Sequence, residues 1–233
     1  MLQPLFEYIT DPSKIEFEDD ILLAIKALVR KKKAVTETIW RMVPCFNLIL
    51  EKNKHAFGLL LETVNVILIN GRDHLALPEN GQLLAHFVRL AQTSLFSQEA
   101  GTSNAPSTRI SNNAEAAILL QLIVQMFEGT QALHNEIFEK ILAMTLERIN
   151  ICAQAEKDLE KRLLVLLKKH LLGVFLAGAV YSPQATVLFL TQRNLLSGTL
   201  NELFQLAGEY KFEYERKLFI EGLCRLCSVG QTW

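Results

Sequence analysis

The chain has 233 residues, half of them apolar, and its 24 basic residues nearly balance 25 acidic ones for a formal net charge of −1. That length allows a sizeable core in one or two domains. The charge balance argues against a general nucleic-acid or membrane-surface binder, which carries a basic excess. Eleven Gly and six Pro are few for this length, so turns are few and elements long.

Apolar residues recur at helical spacing almost throughout, and no segment shows strand alternation. Residues 1–10 predict a short helix closed by Asp11-Pro12. Residues 16–32 predict a second, acidic at its start (Glu16, Glu18, Asp19, Asp20) and basic at its end (Arg30 to Lys33), as the helix dipole favours. Its apolar stripe is Leu22, Leu23, Ile25, Leu28 and Val29. The helix of residues 36–52, with Thr36 as N-cap, carries Pro44 at its centre, which removes a backbone hydrogen bond from the Trp40 carbonyl. Residues 55–69 predict a helix ended by Asn70-Gly71, and residues 82–96 another.

Residues 99–113 (EAGTSNAPSTRISNN) read as a mobile polar loop in which Ser107 and Thr108 are possible phosphorylation sites. A helix of residues 114–127 follows, ended by Glu128-Gly129, then long helices of residues 135–152 and 158–180. The last of these holds the best transmembrane candidate. Lys168, Lys169 and His170 interrupt it, leaving 11 uninterrupted residues where a span needs about 20, so it reads as a helix buried on nearly all sides. Tyr181-Ser182-Pro183 breaks the chain, with Pro183 suited to the first position of a short helix reaching Gln192. Residues 200–207 and 213–227 complete about ten helices.

Sequence signatures of chemistry are absent. There is no P-loop, G-x-G-x-x-G or H-E-x-x-H. Cys45, Cys152, Cys224 and Cys227 lie within apolar helical patterns, which suits buried thiols and a reducing compartment. Cys224-Arg225-Leu226-Cys227 is a C-x-x-C with no second pair at zinc spacing, so core packing is the expected role. No two of His55, His74, His86, His134 and His170 share a helix at ligand spacing. The run Arg30 to Lys33 reads as a solvated helix end ahead of a localisation signal. No signal peptide is visible at Met1-Leu2-Gln3-Pro4.

Helices that open a hairpin begin near Thr36, Gly81, His134 and Gly198. HEAT-type repeats run about 40 to 47 residues per helix pair, and the first spacing falls in that range. A proline near the middle of a repeat's first helix bends it along a curved stack. The expected fold is therefore all-α, an α-α superhelix of HEAT type in antiparallel pairs, as a single array.

Particular stretches carry a family resemblance. Ile39-Trp40-Arg41-Met42-Val43-Pro44 resembles the W-x-L-x-P opening of a late HEAT repeat in importin-beta karyopherins, most closely the importin-seven and importin-eight type. The flanking FEDDILLAIKAL (residues 17–28) and AFGLLLETVNVIL (residues 56–68) are similar to the helices around that repeat. Tyr181-Ser182-Pro183 with Val187-Leu188-Phe189-Leu190 resembles the family's break and short helix, and residues 215–226 resemble its R-K-x-x-x-x-G-L-C-x-L helix. Residues 81–154 match only as a helical pattern.

The resemblance implies a C-terminal fragment of a nuclear transport receptor that shuttles between cytoplasm and nucleus. The full-length receptor would carry protein cargo under Ran-GTP control and touch Phe-Gly nucleoporins, with no cofactor, metal, nucleic acid or membrane and no catalysis. Phe-Gly repeats would fit between neighbouring first helices. Acidic residues on second helices would face basic cargo, and the candidates are Glu62, Glu115, Asp158 and Glu160. Cut solenoid ends would favour a dimer. The alternatives are a HEAT or armadillo scaffold in a cytoplasmic complex, and a helical enzyme, which would need a converging polar cluster.

Overall fold

A computed structural model of the chain describes residues 18–52, 57–96, 106–129, 133, 135–155 and 161–230. Its helices are α1 (Glu18–Lys32), α2 (Glu37–Met42), α3 (Phe46–Lys52), α4 (Phe57–Leu75), α5 (Gly81–Phe96), α6 (Pro106–Met126), α7 (Asn135–Ala155), α8 (Lys161–Tyr181), α9 (Pro183–Thr191), α10 (Leu196–Gln205) and α11 (Glu213–Gly230). Short 3₁₀ turns occupy Val43–Cys45, Pro78–Asn80 and Ala207–Glu209, and no strand occurs among the described residues. The fold is all-α and repeat-like. The first helix expected from the sequence, residues 1–10, lies outside the described residues. The chain divides into two compact units, Met1–Ser94 and Leu95–Trp233.

In the first unit α1 packs along α4. The inward stripe of α1 is Ile21, Leu22, Ile25 and Val29, whereas Leu23 is 48% exposed. One residue past Leu22, it is turned about 100° from that stripe. The buried Thr63 hydroxyl joins the two helices, donating to the Leu59 carbonyl at 2.8 Å and reaching the Leu22 carbonyl at 3.3 Å. The basic run Arg30 to Lys33 is exposed, as a solvated helix end should be.

The helix expected over residues 36–52 is two helices joined by the 3₁₀ turn that contains Pro44. The turn tightens the backbone so that the Val43 N–H donates to the Trp40 carbonyl. The carbonyl that Pro44 would otherwise leave bare therefore keeps a partner, and the expected loss is corrected locally. Thr36 does occupy the N-cap, but its side chain makes no capping bond.

Trp40 is buried and stacks on His74, ring centroids 4.7 Å apart and 18° from parallel. Gly71 explains how it fits, because a Cβ there would overlap the Trp40 indole. This glycine does not end a helix, as the Asn70-Gly71 signature predicts. It lies inside α4, which runs on to Leu75, where the Asn80 side chain donates to the His74 carbonyl at 2.8 Å.

The second unit is built around α8, which packs against α6, α7, α9, α10 and α11. Arg162–Tyr181 is long and apolar enough to cross a membrane by length and composition. Here it is the central core helix, with every residue from 171 to 179 buried, as a helix apolar all round should be. Helix α6 starts at Pro106, inside the stretch expected to be a loop, with Ile110, Asn113, Ala114 and Ala117 buried at helical spacing. Residues 99–105 of that stretch lie outside the described residues. At its far end α6 gives way to Gly129 at φ +74°, the expected left-handed stop.

Two glycines set the distance between helices of this unit. A Cβ at Gly222 of α11 would stand 2.8 Å from the Leu176 carbonyl oxygen and 2.9 Å from the Leu176 Cα, both on α8. One at Gly173 of α8 would meet only the end of the Gln121 side chain of α6, at 2.5 Å. Pro183 takes the first position of α9, and the Tyr181 hydroxyl before it donates to the Leu133 carbonyl at 3.0 Å. Helices that follow the expected hairpin openers lie side by side in the second unit, α6 with α8 and α8 with α11, and in the first unit α1 packs along α4.

Candidate functional site

Two concave features lie in the second unit, on different sides of α8. The first is a cavity of about 240 Å³ lined by α6 (Ile118, Gln121, Leu122, Gln125), α8 (Lys169, His170), Tyr210 and α11 (Tyr214, Glu215, Leu218). It holds the converging polar cluster that the sequence did not reveal. Lys169 Nζ donates to Glu215 Oε1 at 2.7 Å, with both side chains 8% exposed. Glu215 Oε2 accepts the backbone N–H groups of Lys211 (3.0 Å) and Phe212 (3.3 Å). It sits at the third position of α11, so it closes the helix N-terminus as the glutamate of a capping box does. The Tyr210 hydroxyl completes the cluster, donating to the Lys169 carbonyl at 3.2 Å.

Electrostatics follow from this geometry. Burial alone would raise the Glu215 carboxyl. The Lys169 hydrogen bond, the Phe212 and Lys211 amides and the Lys169 charge outweigh it and hold the group below its ordinary value. Burial, with the neighbouring Lys169 charge, lowers His170 to about 4 against the opposing pull of Glu215. Burial raises the Tyr210 phenol, and the Glu215 charge adds to it. Both Glu215 oxygens are occupied and Lys169 is committed to one of them, so this cluster clamps α11 to α8.

The second feature is a groove of about 550 Å³ between α7 and α10, floored by α8. Leu146, Ile149 and Cys152 form one wall, Gly198, Thr199 and Glu202 the other, and Leu164, Leu171 and Phe175 lie among the floor residues. At its edge Lys168 of α8 pairs with Glu202 at 2.6 Å. The volume lies within the roughly 300–1,000 Å³ typical of ligand pockets. Gly198 leaves the wall open, since a Cβ there would meet nothing within 4 Å.

Of the four carboxylates expected to face cargo, two lie among the described residues, Glu62 in the first unit and Glu115 in the second. Glu62 is exposed on α4 and paired with Lys26 of α1, whose hydrogen bond and charge lower its pKa. Glu115 is half-buried on α6. Asp158 and Glu160 lie outside the described residues, as do His55 and His134.

Core packing of the C-x-x-C is corrected by the structure: Cys224 and Cys227 are both exposed. The inward face of α11 is instead Glu215, Leu218, Gly222 and Leu226, spaced by three and four residues. Cys45 and Cys152 are half-buried, and burial raises the Cys45 thiol. Among the described residues no group of three or more His, Cys, Asp and Glu is arranged to hold a metal. No family model matches the chain, and no curated protein or solved structure matches it.

Proposed function

We propose that the chain is a section of a curved helical-repeat receptor of the importin-beta type, and that the groove between α7 and α10 receives phenylalanine side chains of Phe-Gly nucleoporin repeats. The observation that carries this reading is the position of the groove. Helices α7 and α10 begin near His134 and Gly198, where the sequence reading opens successive hairpins, and the gap between them is apolar, open and floored by α8. A single aromatic ring seats in such a gap, burying its faces against Leu, Ile and Phe while the flexible Gly-rich spacer stays in solvent. The side-by-side packing of second helices supports the repeat array, because stacked hairpins bring equivalent helices into contact. Cargo carriage and Ran-GTP control belong to the full-length receptor that the resemblance implies.

The test is binding of a fluorescent Phe-Gly repeat peptide, with a Ser-Gly repeat of equal length as control. Wild-type chain is expected to bind the first and not the second. Gly198→Phe fills the groove from its own wall and is expected to abolish binding, while Gly198→Ala retains it. Equal binding of both peptides, or undiminished binding by Gly198→Phe, would overturn the assignment. Failure of the full-length protein to bind either Phe-Gly repeats or a basic cargo would leave a cytoplasmic scaffold as the better reading.

A further inference from the structure

We propose that Cys224 and Cys227 form a binding site for one soft monovalent cation of the copper(I) class, held linearly between the two sulfurs. Free cysteine is among the most frequently buried residue types, yet these two thiols are both exposed on α11. Helical register puts them on one face, because residues three apart have Cβ atoms about 5–6 Å from each other. Leu226 and Gly222 take the inward positions and fix the helix against its neighbours, so the pair is presented on a supported backbone.

The donor count selects the metal. Soft thiolates choose among copper(I), zinc and iron–sulfur clusters. Structural zinc sites and iron–sulfur clusters call for four protein ligands. Among the described residues no third His, Cys, Asp or Glu joins this pair to hold a metal. Two thiolates satisfy a d¹⁰ monovalent ion in linear coordination. The step is a ligand exchange: two S–H bonds break, two metal–sulfur bonds form, and two protons pass to solvent with no change of oxidation state. The site depends on α11 alone and stands or falls independently of the groove.

The experiment is anaerobic titration of the full chain with copper(I) delivered from a chromophoric chelator. One ion per chain is expected to leave the chelator, with a thiolate-to-copper absorption band appearing in the ultraviolet. Cys224→Ser and Cys227→Ser are each expected to abolish one-to-one uptake, because a single remaining thiolate leaves the ion one ligand short. The double variant Cys45→Ser, Cys152→Ser is expected to bind as wild type. Both test positions are exposed, so their serine variants should fold, and circular dichroism checks this. Uptake unchanged in the double variant Cys224→Ser, Cys227→Ser would overturn the proposal. So would half an ion per chain with dimerisation, the mark of a bridging tetrathiolate.

Discussion

Replacing glycine by alanine at three helical positions tests whether the spacing within the row of second helices is set by backbone contact. The helical gain is common to all three substitutions, roughly 0.5–1 kcal/mol for removing glycine from a helix. The environments differ. At Gly198 the new methyl meets nothing within 4 Å, so the gain is kept. At Gly173 it meets the Gln121 Oε1 at 2.5 Å. That amide ends a flexible side chain and can swing away, so the expected result is near zero. At Gly222 the methyl meets the Leu176 backbone, with the Cα at 2.9 Å, about 0.6 Å short of the roughly 3.5 Å optimum between carbons. Neither helix can yield there without separating α11 from α8. Overpacking of this kind costs about 1–3 kcal/mol, and after the helical gain of roughly 0.5–1 kcal/mol the net loss is up to about 2.5 kcal/mol. Urea unfolding monitored by circular dichroism should therefore order the midpoints Gly198→Ala above wild type, Gly173→Ala near it, and Gly222→Ala below it, with unchanged slopes. A Gly222→Ala variant as stable as Gly198→Ala would refute the backbone-contact argument.

Three further outcomes are expected. Lys169→Met strands the buried Glu215 carboxylate and should cost about 3 kcal/mol by denaturant unfolding, whereas adding Glu215→Gln, which keeps an acceptor for the α11 amides, should restore most of it. His170 has a pKa of about 4 in the fold and an ordinary value near 6.5 when unfolded, so the unfolded chain binds more protons between those values. Stability is then whole above about pH 6.5 and falls as the pH drops toward 4, by roughly 2–3 kcal/mol between pH 7 and 4.5. A His170→Gln variant should lose that slope, and an equal slope in it would contradict the assignment. Glu215 adds nothing to this window, because its lowered carboxyl gives up stability only below the ordinary carboxylate value. Amide hydrogen exchange should be faster through α10, whose buried set is Leu203 alone, than through α8, and equal protection would argue that α10 is not a yielding wall.

Much of this architecture is legible in the sequence, because an apolar period of three to four residues is a local signal. The limits of α5, α7 and α9 come within a few residues of that reading, and α8 is the buried helix its composition implies. Errors arose where a distant residue decides. Asn70-Gly71 carries a helix-stop signature, yet Gly71 is there to admit Trp40, which lies on another helix. The polar run before Ala114 hides a helix because Ile110, Asn113, Ala114 and Ala117 supply its inward face with little hydrophobic bulk. The apolar surroundings of the C-x-x-C point to the core, although the positions that face α8 are set by Gly222 and its register. The Lys169–Glu215 clasp joins residues 46 apart, which no local pattern announces. Its one sequence trace was the interruption of an apolar helix by Lys168, Lys169 and His170.

That interruption also explains how α8 serves two features at once. Consecutive residues on a helix point about 100° apart, so Lys168 and Lys169 reach different neighbours: Glu202 on α10 and Glu215 on α11. The two pairs differ in strength for a physical reason. Lys168 and Glu202 are 29% and 38% exposed, so water screens them and their pairing contributes about 0–1 kcal/mol. Lys169 and Glu215 are nearly dry, and Glu215 is further held by two backbone amides, so separating α11 from α8 leaves buried charge unsatisfied. The row of second helices is thus clamped at the Glu215 end of α11 and close-packed at Gly222, while the α10 wall of the groove rests on Leu203 and a screened ion pair. A wall so lightly held can move to admit an apolar side chain without disturbing the α8–α11 contact beneath it.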